Sequence, residues 1–153
     1  MILRQRTHVN ATAGQTWAIL RDPRRMSDWN PHCTHCEAAE DALRVGLRFK
    51  SVMRFGGGPE RHLDCEVIAC EPERTLTLRF SGETAVGRDE HVDETYTFQP
   101  VAGGAKVVHE VDFSHAGLPW FLKALLKVIH LVGRPHGKSP LEVLKELAEG
   151  ARG

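Results

Sequence analysis

VDETYTFQPVAGGAKVVHEVDF, residues 92–113, holds two runs of strict alternation on either side of a turn. Val92, Glu94, Tyr96 and Phe98 fall on one face of the first run, and Val107, His109, Val111 and Phe113 on one face of the second. A period of two marks β-strands, and the Pro100–Gly104 segment between them supplies the turn residues of a hairpin. Setting Phe98 opposite Val107 places Tyr96 opposite His109 and Glu94 opposite Val111. Glu94 and His109 then become diagonal neighbours, within reach for long side chains.

The same pattern extends upstream. Leu76, Leu78 and Phe80 give one apolar face, and Leu63, Cys65, Val67 and Ala69 another, joined through the polar turn Glu71-Pro-Glu-Arg74. Leu47, Phe49, Ser51, Met53 and Phe55 form a further face, with Arg48, Lys50 and Arg54 opposite and the flexible Gly56-Gly-Gly-Pro59 turn after them. Ser81–Asp89 reads as a loose segment. At the N-terminus Leu3, Gln5, Thr7 and Val9 alternate with Arg4, Arg6 and His8, a first strand. Thr12-Ala-Gly-Gln15 reads as a capping box opening a short helix through Trp17 and Leu20, and a second helical turn over Arg24–Trp29 stops at Asn30-Pro31. Successive strands with one apolar face each describe an antiparallel sheet covered on one side.

The cover is the C-terminal third. Trp120, Phe121, Leu125, Val128, Ile129 and Val132 recur at helical spacing behind Pro119. The pattern breaks over Gly133–Lys138 and restarts at Ser139-Pro-Leu-Glu142, a capping box with proline at the first helical position, followed by the stripe Leu141, Val143, Leu144 and Leu147. The fold class is therefore α+β: a curved antiparallel sheet of about six to seven strands around a long C-terminal helix in two pieces, with two short helices after the first strand. One helix about 10–12 Å across cannot cover six strands spaced about 4.8 Å apart. The sheet must close around the helix or leave a space, so a hollow domain is expected.

With 153 residues the chain suits one domain, 1–153. Lys and Arg balance Asp and Glu at 20 each, against the clustered basic excess of a nucleic-acid binder. The apolar run from Leu118 to Val132 is interrupted by Lys123, Lys127 and His130 and falls short of a membrane span, so no membrane insertion is expected. The opening residues MILRQRTHVN have no apolar signal region, which predicts a cytoplasmic location. Cys33, Cys36, Cys65 and Cys70 are too few for a disulfide scaffold and read as thiols. Monomer and homodimer both remain open.

The segments Asn10-Ala-Thr-Ala-Gly-Gln-Thr-Trp17, Leu20-Arg-Asp-Pro23 with Asp28-Trp-Asn-Pro31, and Val45-Gly-Leu-Arg-Phe49 carry a family likeness. So do Glu66-Val-Ile-Ala-Cys-Glu-Pro72, Tyr96-Thr-Phe98 with Gly103-Gly-Ala-Lys-Val107, and His109-Glu-Val-Asp-Phe113. In this order and over nearly the whole chain, they resemble the START-like, pollen-allergen-like helix-grip superfamily, and within it the polyketide cyclase/dehydrase and lipid transport (SRPBCC) group. The resemblance implies a single START-like domain with a cavity between sheet and helix. Members of that superfamily bind lipids, sterols, hormones and polyketides. The break at Gly133–Lys138 departs from the group's usual continuous last helix.

The apolar wall of such a cavity is predicted to hold Phe49, Met53, Leu78, Phe80, Tyr96, Phe98 and Phe113 with Leu125 and Ile129, and Glu94 and His109 are its polar anchors. The primary reading is a carrier or sensor of one small hydrophobic or aromatic ligand, lipid or polyketide-like. Glu94, His109 and Tyr96 are also the catalytic candidates for an aromatase/cyclase or dehydratase, since a buried carboxylate and imidazole could move protons. The plain alternative is that the two satisfy each other. A third reading is a protein-interaction module with a vestigial cavity. Cys33-Thr-His-Cys36 has metal-ligand spacing, but residues three apart on an extended strand point to opposite faces, and no metal is assigned. No nucleophile elbow, phosphate loop or HExxH motif occurs, and no cofactor is expected.

Overall fold

Successive strands after the first pair antiparallel with one another, and the first pairs with the last. The computed structural model describes residues 1–55, 57–82, 90–117, 123, 124, 126, 127 and 137–151. Its elements are β1 (Ile2–Val9), α1 (Ala13–Leu20), a 3-10 turn (Pro23–Arg25), α2 (Met26–Trp29), β2 (Cys33–Glu37), β3 (Arg48–Arg54), β4 (Glu60–Glu71), β5 (Thr75–Gly82), β6 (Val92–Val101), β7 (Gly104–Asp112) and α3 (Pro140–Ala151). The strands form one seven-stranded antiparallel sheet in the order β1-β7-β6-β5-β4-β3-β2. This is the helix-grip α+β architecture.

The β6–β7 register matches the sequence expectation: Phe98 faces Val107, Tyr96 faces His109 and Glu94 faces Val111. The turn is tighter than expected. Both strands continue to the Val101–Gly104 pair, leaving Ala102 and Gly103 as the connection, with Gly103 at a φ of 79°. Two other strands depart from simple alternation. The β2–β3 register shifts between Cys33 and His35, and the β4–β5 register between Val67 and Ala69. Bulges of this kind bend a strand and increase its twist, which curves the sheet. The second one corrects the expected β4 face. Past Ile68 it is Cys70, opposite Leu76, that packs toward the core, while Ala69 pairs with Thr77 on the other face.

The convex face is held by cross-strand charge pairs: Arg4–Glu110 at 2.6 Å, Lys50–Asp64 at 2.8 Å, and Arg79 forked onto Asp93 at 2.8 and 2.9 Å. Exposed pairs of this sort are worth little individually because solvent screens them, and here they keep the outer face polar.

Both expected capping boxes form. The Gln15 amide N–H donates to Thr12 Oγ1 at 3.1 Å and the Thr12 N–H to Gln15 Oε1 at 2.9 Å. At α3, Glu142 N–H donates to Ser139 Oγ at 3.2 Å and Ser139 N–H to Glu142 Oε2 at 2.9 Å. α3 lies against α1, α2 and β1 and buries Leu141, Leu144 and Ala148. Leu147, expected on that stripe, is 38% exposed, because its neighbour Ala148 continues the seven-residue spacing from Leu141. Lys145 Nζ donates to the His8 carbonyl at 2.6 Å, and the Asn10 N–H donates to Glu149 at 3.1 Å, so α3 ties down backbone groups at the end of β1. Residues 123, 124, 126 and 127 are helical, and Gly137 and Lys138 are not. Most of the expected helix over Trp120–Val132, and residues 133–136 of the expected break, lie outside the described residues. Among the described residues no helix is long and apolar enough to cross a membrane.

Two adjacent glycines in the β6–β7 turn should respond differently to a methyl group. A Cβ on Gly103 meets open space and leaves only the cost of its positive φ, while a Cβ on Gly104 would collide with the Val9 carbonyl of β1. Gly103→Ala is expected to cost about 1 kcal/mol, and Gly104→Ala at least about 2 kcal/mol more, measured by urea unfolding. Equal losses would mean that the β1 contact yields freely.

Candidate functional site

The concave face is divided along its length. At one end it is filled: Trp17 of α1 packs edge-on against Phe98, ring centroids 5.7 Å apart, among buried Val9, Leu76, Val107 and Leu144. At the other end β3, β5 and β7 finish and β4 and β6 begin, and there a cavity of about 340 Å³ remains. Met53, Leu63, Phe80, Val92 and Val111 supply strand walls, and Phe55 follows β3. Phe113 and Ala116 follow β7, and Leu126 comes from the helical segment. Asn30 and His32, between α2 and β2, with Glu94 of β6 provide its described polar groups.

Glu94 is the centre of the polar set. Its Oε2 accepts a hydrogen bond from the Tyr96 hydroxyl at 3.3 Å and lies 3.2 Å from His109 Nε2. Its Oε1 has no hydrogen-bond partner among the described residues, and the carboxyl group lines the cavity. His109 is buried, 6% exposed, while Glu94 keeps 18%. The Tyr96 ring stacks on His109 at 4.4 Å and 8°, and the Trp29 edge closes on Tyr96 at 5.5 Å and 87°. Both donors are therefore fixed by packing before any ligand arrives. This geometry follows from register: opposed Tyr96 and His109 stack, and the diagonal Glu94 reaches both.

Electrostatics set the protonation. Burial pushes the Glu94 carboxyl up, but the His109 hydrogen bond and charge, the Tyr96 hydroxyl and the nearness of His32 outweigh it, and the group titrates below its ordinary range. Burial, followed by the Glu94 charge, raises the Tyr96 hydroxyl well above its usual value and keeps it a donor. Burial lowers His32 despite the pull of Glu94, so its ring is neutral at neutral pH.

The residues predicted for the cavity wall are distributed unevenly. Met53, Phe80, Glu94 and Phe113 line the described cavity. Phe49, Leu78 and Tyr96 are buried in the core cluster, Phe98 packs at the filled end, and His109 reaches the cavity through Glu94. Leu125 and Ile129 lie outside the described residues. His32 and Asn30 are cavity residues that alternation had no means of finding. The signal was the Trp29-Asn-Pro31 stop: buried Trp29 anchors the turn, Asn30 Oδ1 accepts the His32 N–H at 3.0 Å, and the chain is folded over the open end.

The cysteines require a correction. The bulge between Cys33 and His35 turns both Cys33 and Cys36 inward, where an unbroken strand would have separated them. Cys36 Sγ donates to the Pro23 carbonyl at 3.0 Å and Cys33 Sγ to the His35 carbonyl at 3.3 Å. Contact with Cys33, then burial, raises the Cys36 thiol, and burial raises Cys65 and Cys70. Among the described residues no group of three His, Cys, Asp or Glu is placed to hold a metal ion.

The chain has known counterparts in both sequence and fold. The family model described as "Polyketide cyclase / dehydrase and lipid transport" matches residues 2–137. Among solved structures, protein MLL2253 from Mesorhizobium loti is 19% identical, with 98% of each chain covered and a TM-score of 0.68. Ara h 8.0201 is 15% identical, covering 99% of this chain and 96% of its own, with a TM-score of 0.62. DynU16, a putative protein in the dynemicin biosynthetic locus, is 23% identical over 98% of this chain and 48% of its own, with a TM-score of 0.65. Identities of this size bear on the fold alone. No curated protein matches the chain.

The lowered Glu94 pKa has a definite sign. Its contribution to stability is complete above the unfolded glutamate value of about 4.3 and is lost as pH falls through the lower folded value. The gap in melting temperature between the parent protein and Glu94→Gln should therefore be widest above about pH 5 and shrink toward pH 3. A gap independent of pH would mean that the carboxyl is not ionised in the folded protein.

Proposed function

Because this chain belongs to the polyketide cyclase/dehydrase and lipid transport family, we propose that it binds one small hydrophobic or aromatic molecule in the open end of its sheet. The observation that supports this is the cavity of about 340 Å³, whose described lining is apolar apart from Asn30, His32 and Glu94. Mostly apolar walls with a few placed polar groups are the usual design of a small-molecule site, and the volume falls at the low end of the roughly 300–1,000 Å³ range for such sites. A ring system of one or two fused rings suits that space better than a long, fully extended lipid.

Binding is favoured over catalysis by the state of Glu94. A general base works best with a pKa near the operating pH, and the His109 and Tyr96 donors move this carboxylate away from that range. Its role is an anchor, with His109 and Tyr96 as positioning residues. The interaction-module reading has no comparable support, since the described residues leave a concave cavity at that end.

The neutral fluorophore N-phenyl-1-naphthylamine should bind with an emission increase and saturate at one site. Val111→Trp, which fills the cavity from β7, should weaken that binding at least about tenfold while the protein still melts cooperatively, since filling a cavity offsets the cost of the larger side chain. Absence of saturable binding to the parent protein would remove the carrier reading and favour an interaction module.

A further inference from the structure

We infer that Glu94 Oε1 makes the cavity selective for ligands that carry a neutral hydroxyl donor, phenolic or alcoholic, and selective against carboxylic acids. This selectivity rests on the binding proposed above and names the chemistry that the site would accept.

The two oxygens of the carboxylate are unequally satisfied. Glu94 Oε2 already meets two donors, Tyr96 and His109, whereas Oε1 meets none among the described residues. With no donor among the described residues, this oxygen of an 18% exposed side chain can take one from a ligand that enters the cavity. A ligand hydroxyl supplies that donor and gains a charge-assisted hydrogen bond, roughly twice as strong as a neutral one. A ligand carboxylate supplies no donor at neutral pH and brings a second negative charge to within a few ångströms of the first.

The described lining offers no compensating cation: it includes no lysine or arginine, and its remaining polar groups are Asn30 and His32. The Asn30 oxygen is occupied by the His32 backbone N–H. His32 stays neutral because burial disfavours its charged form. The walls thus reject the group that an anion-binding pocket would be built to hold. Like charges facing each other in a poorly solvated space repel far more strongly than in water.

A matched series on one bicyclic skeleton tests this with the full chain at pH 7: naphthalene, 2-naphthol and 2-naphthoate, each displacing N-phenyl-1-naphthylamine. 2-Naphthol is expected to bind roughly tenfold or more tightly than naphthalene, and 2-naphthoate at least roughly tenfold more weakly than 2-naphthol. Glu94→Gln, which removes the charge and offers an amide N–H, should narrow the naphthol-to-naphthoate ratio to within about threefold. Naphthoate binding as tightly as naphthol to the parent protein would overturn the inference and leave the binding reading intact. Failure of N-phenyl-1-naphthylamine itself to bind would overturn both. The parent ranking decides alone if Glu94→Gln does not fold.

Discussion

A seven-stranded sheet with one apolar face must be sheltered from water, and the helices available are too narrow to shelter all of it. Strands spaced about 4.8 Å apart present a face far wider than a helix of about 10–12 Å. The fold meets this constraint in two ways. The two bulges curve the sheet, and among the described residues α1 and α3 pack on the concave side at one end. Tight packing of Trp17, Phe98 and Leu144 stabilises that end, and the space left at the other end is the one proposed to take a ligand.

Within that space the strongest constraint is the desolvation of Glu94. An isolated carboxylate in an apolar surround would become neutral, because burial penalises the charged form strongly. The stacked Tyr96 and His109 pair prevents this by donating to one oxygen from fixed positions. The arrangement holds the charge while leaving Oε1 without a donor among the described residues. It is an instance of preorganised polarity, in which the sheet rather than the ligand orients the group.

Much of this was legible in residues 92–113. Strict alternation fixes which side chains share a face, so the Glu94–Tyr96–His109 set followed from parity alone and reappears in the hairpin register. The capping boxes at Thr12 and Ser139 were equally local and equally readable. Depth along a strand was not. Phe98 and Phe80 share a face, yet one packs against Trp17 at the filled end and the other borders the cavity, because helix placement decides which end is plugged. Bulges were invisible for a related reason. One extra residue at Ile68 or beside Cys33 reverses parity beyond it, and nothing in the composition of either strand announces the insertion. His32 escaped detection because it lies on a turn, where neither period applies.

The sheet is open, and an open sheet has two edges, each a template for a foreign strand. Here neither edge is inviting. β2 is five residues long and bulged, so an incoming chain finds few evenly spaced partners. At the other edge α3 reaches the end of β1 with Lys145 on the His8 carbonyl and Glu149 on the Asn10 N–H. α3 thus shields one end of that edge as well as covering part of the core.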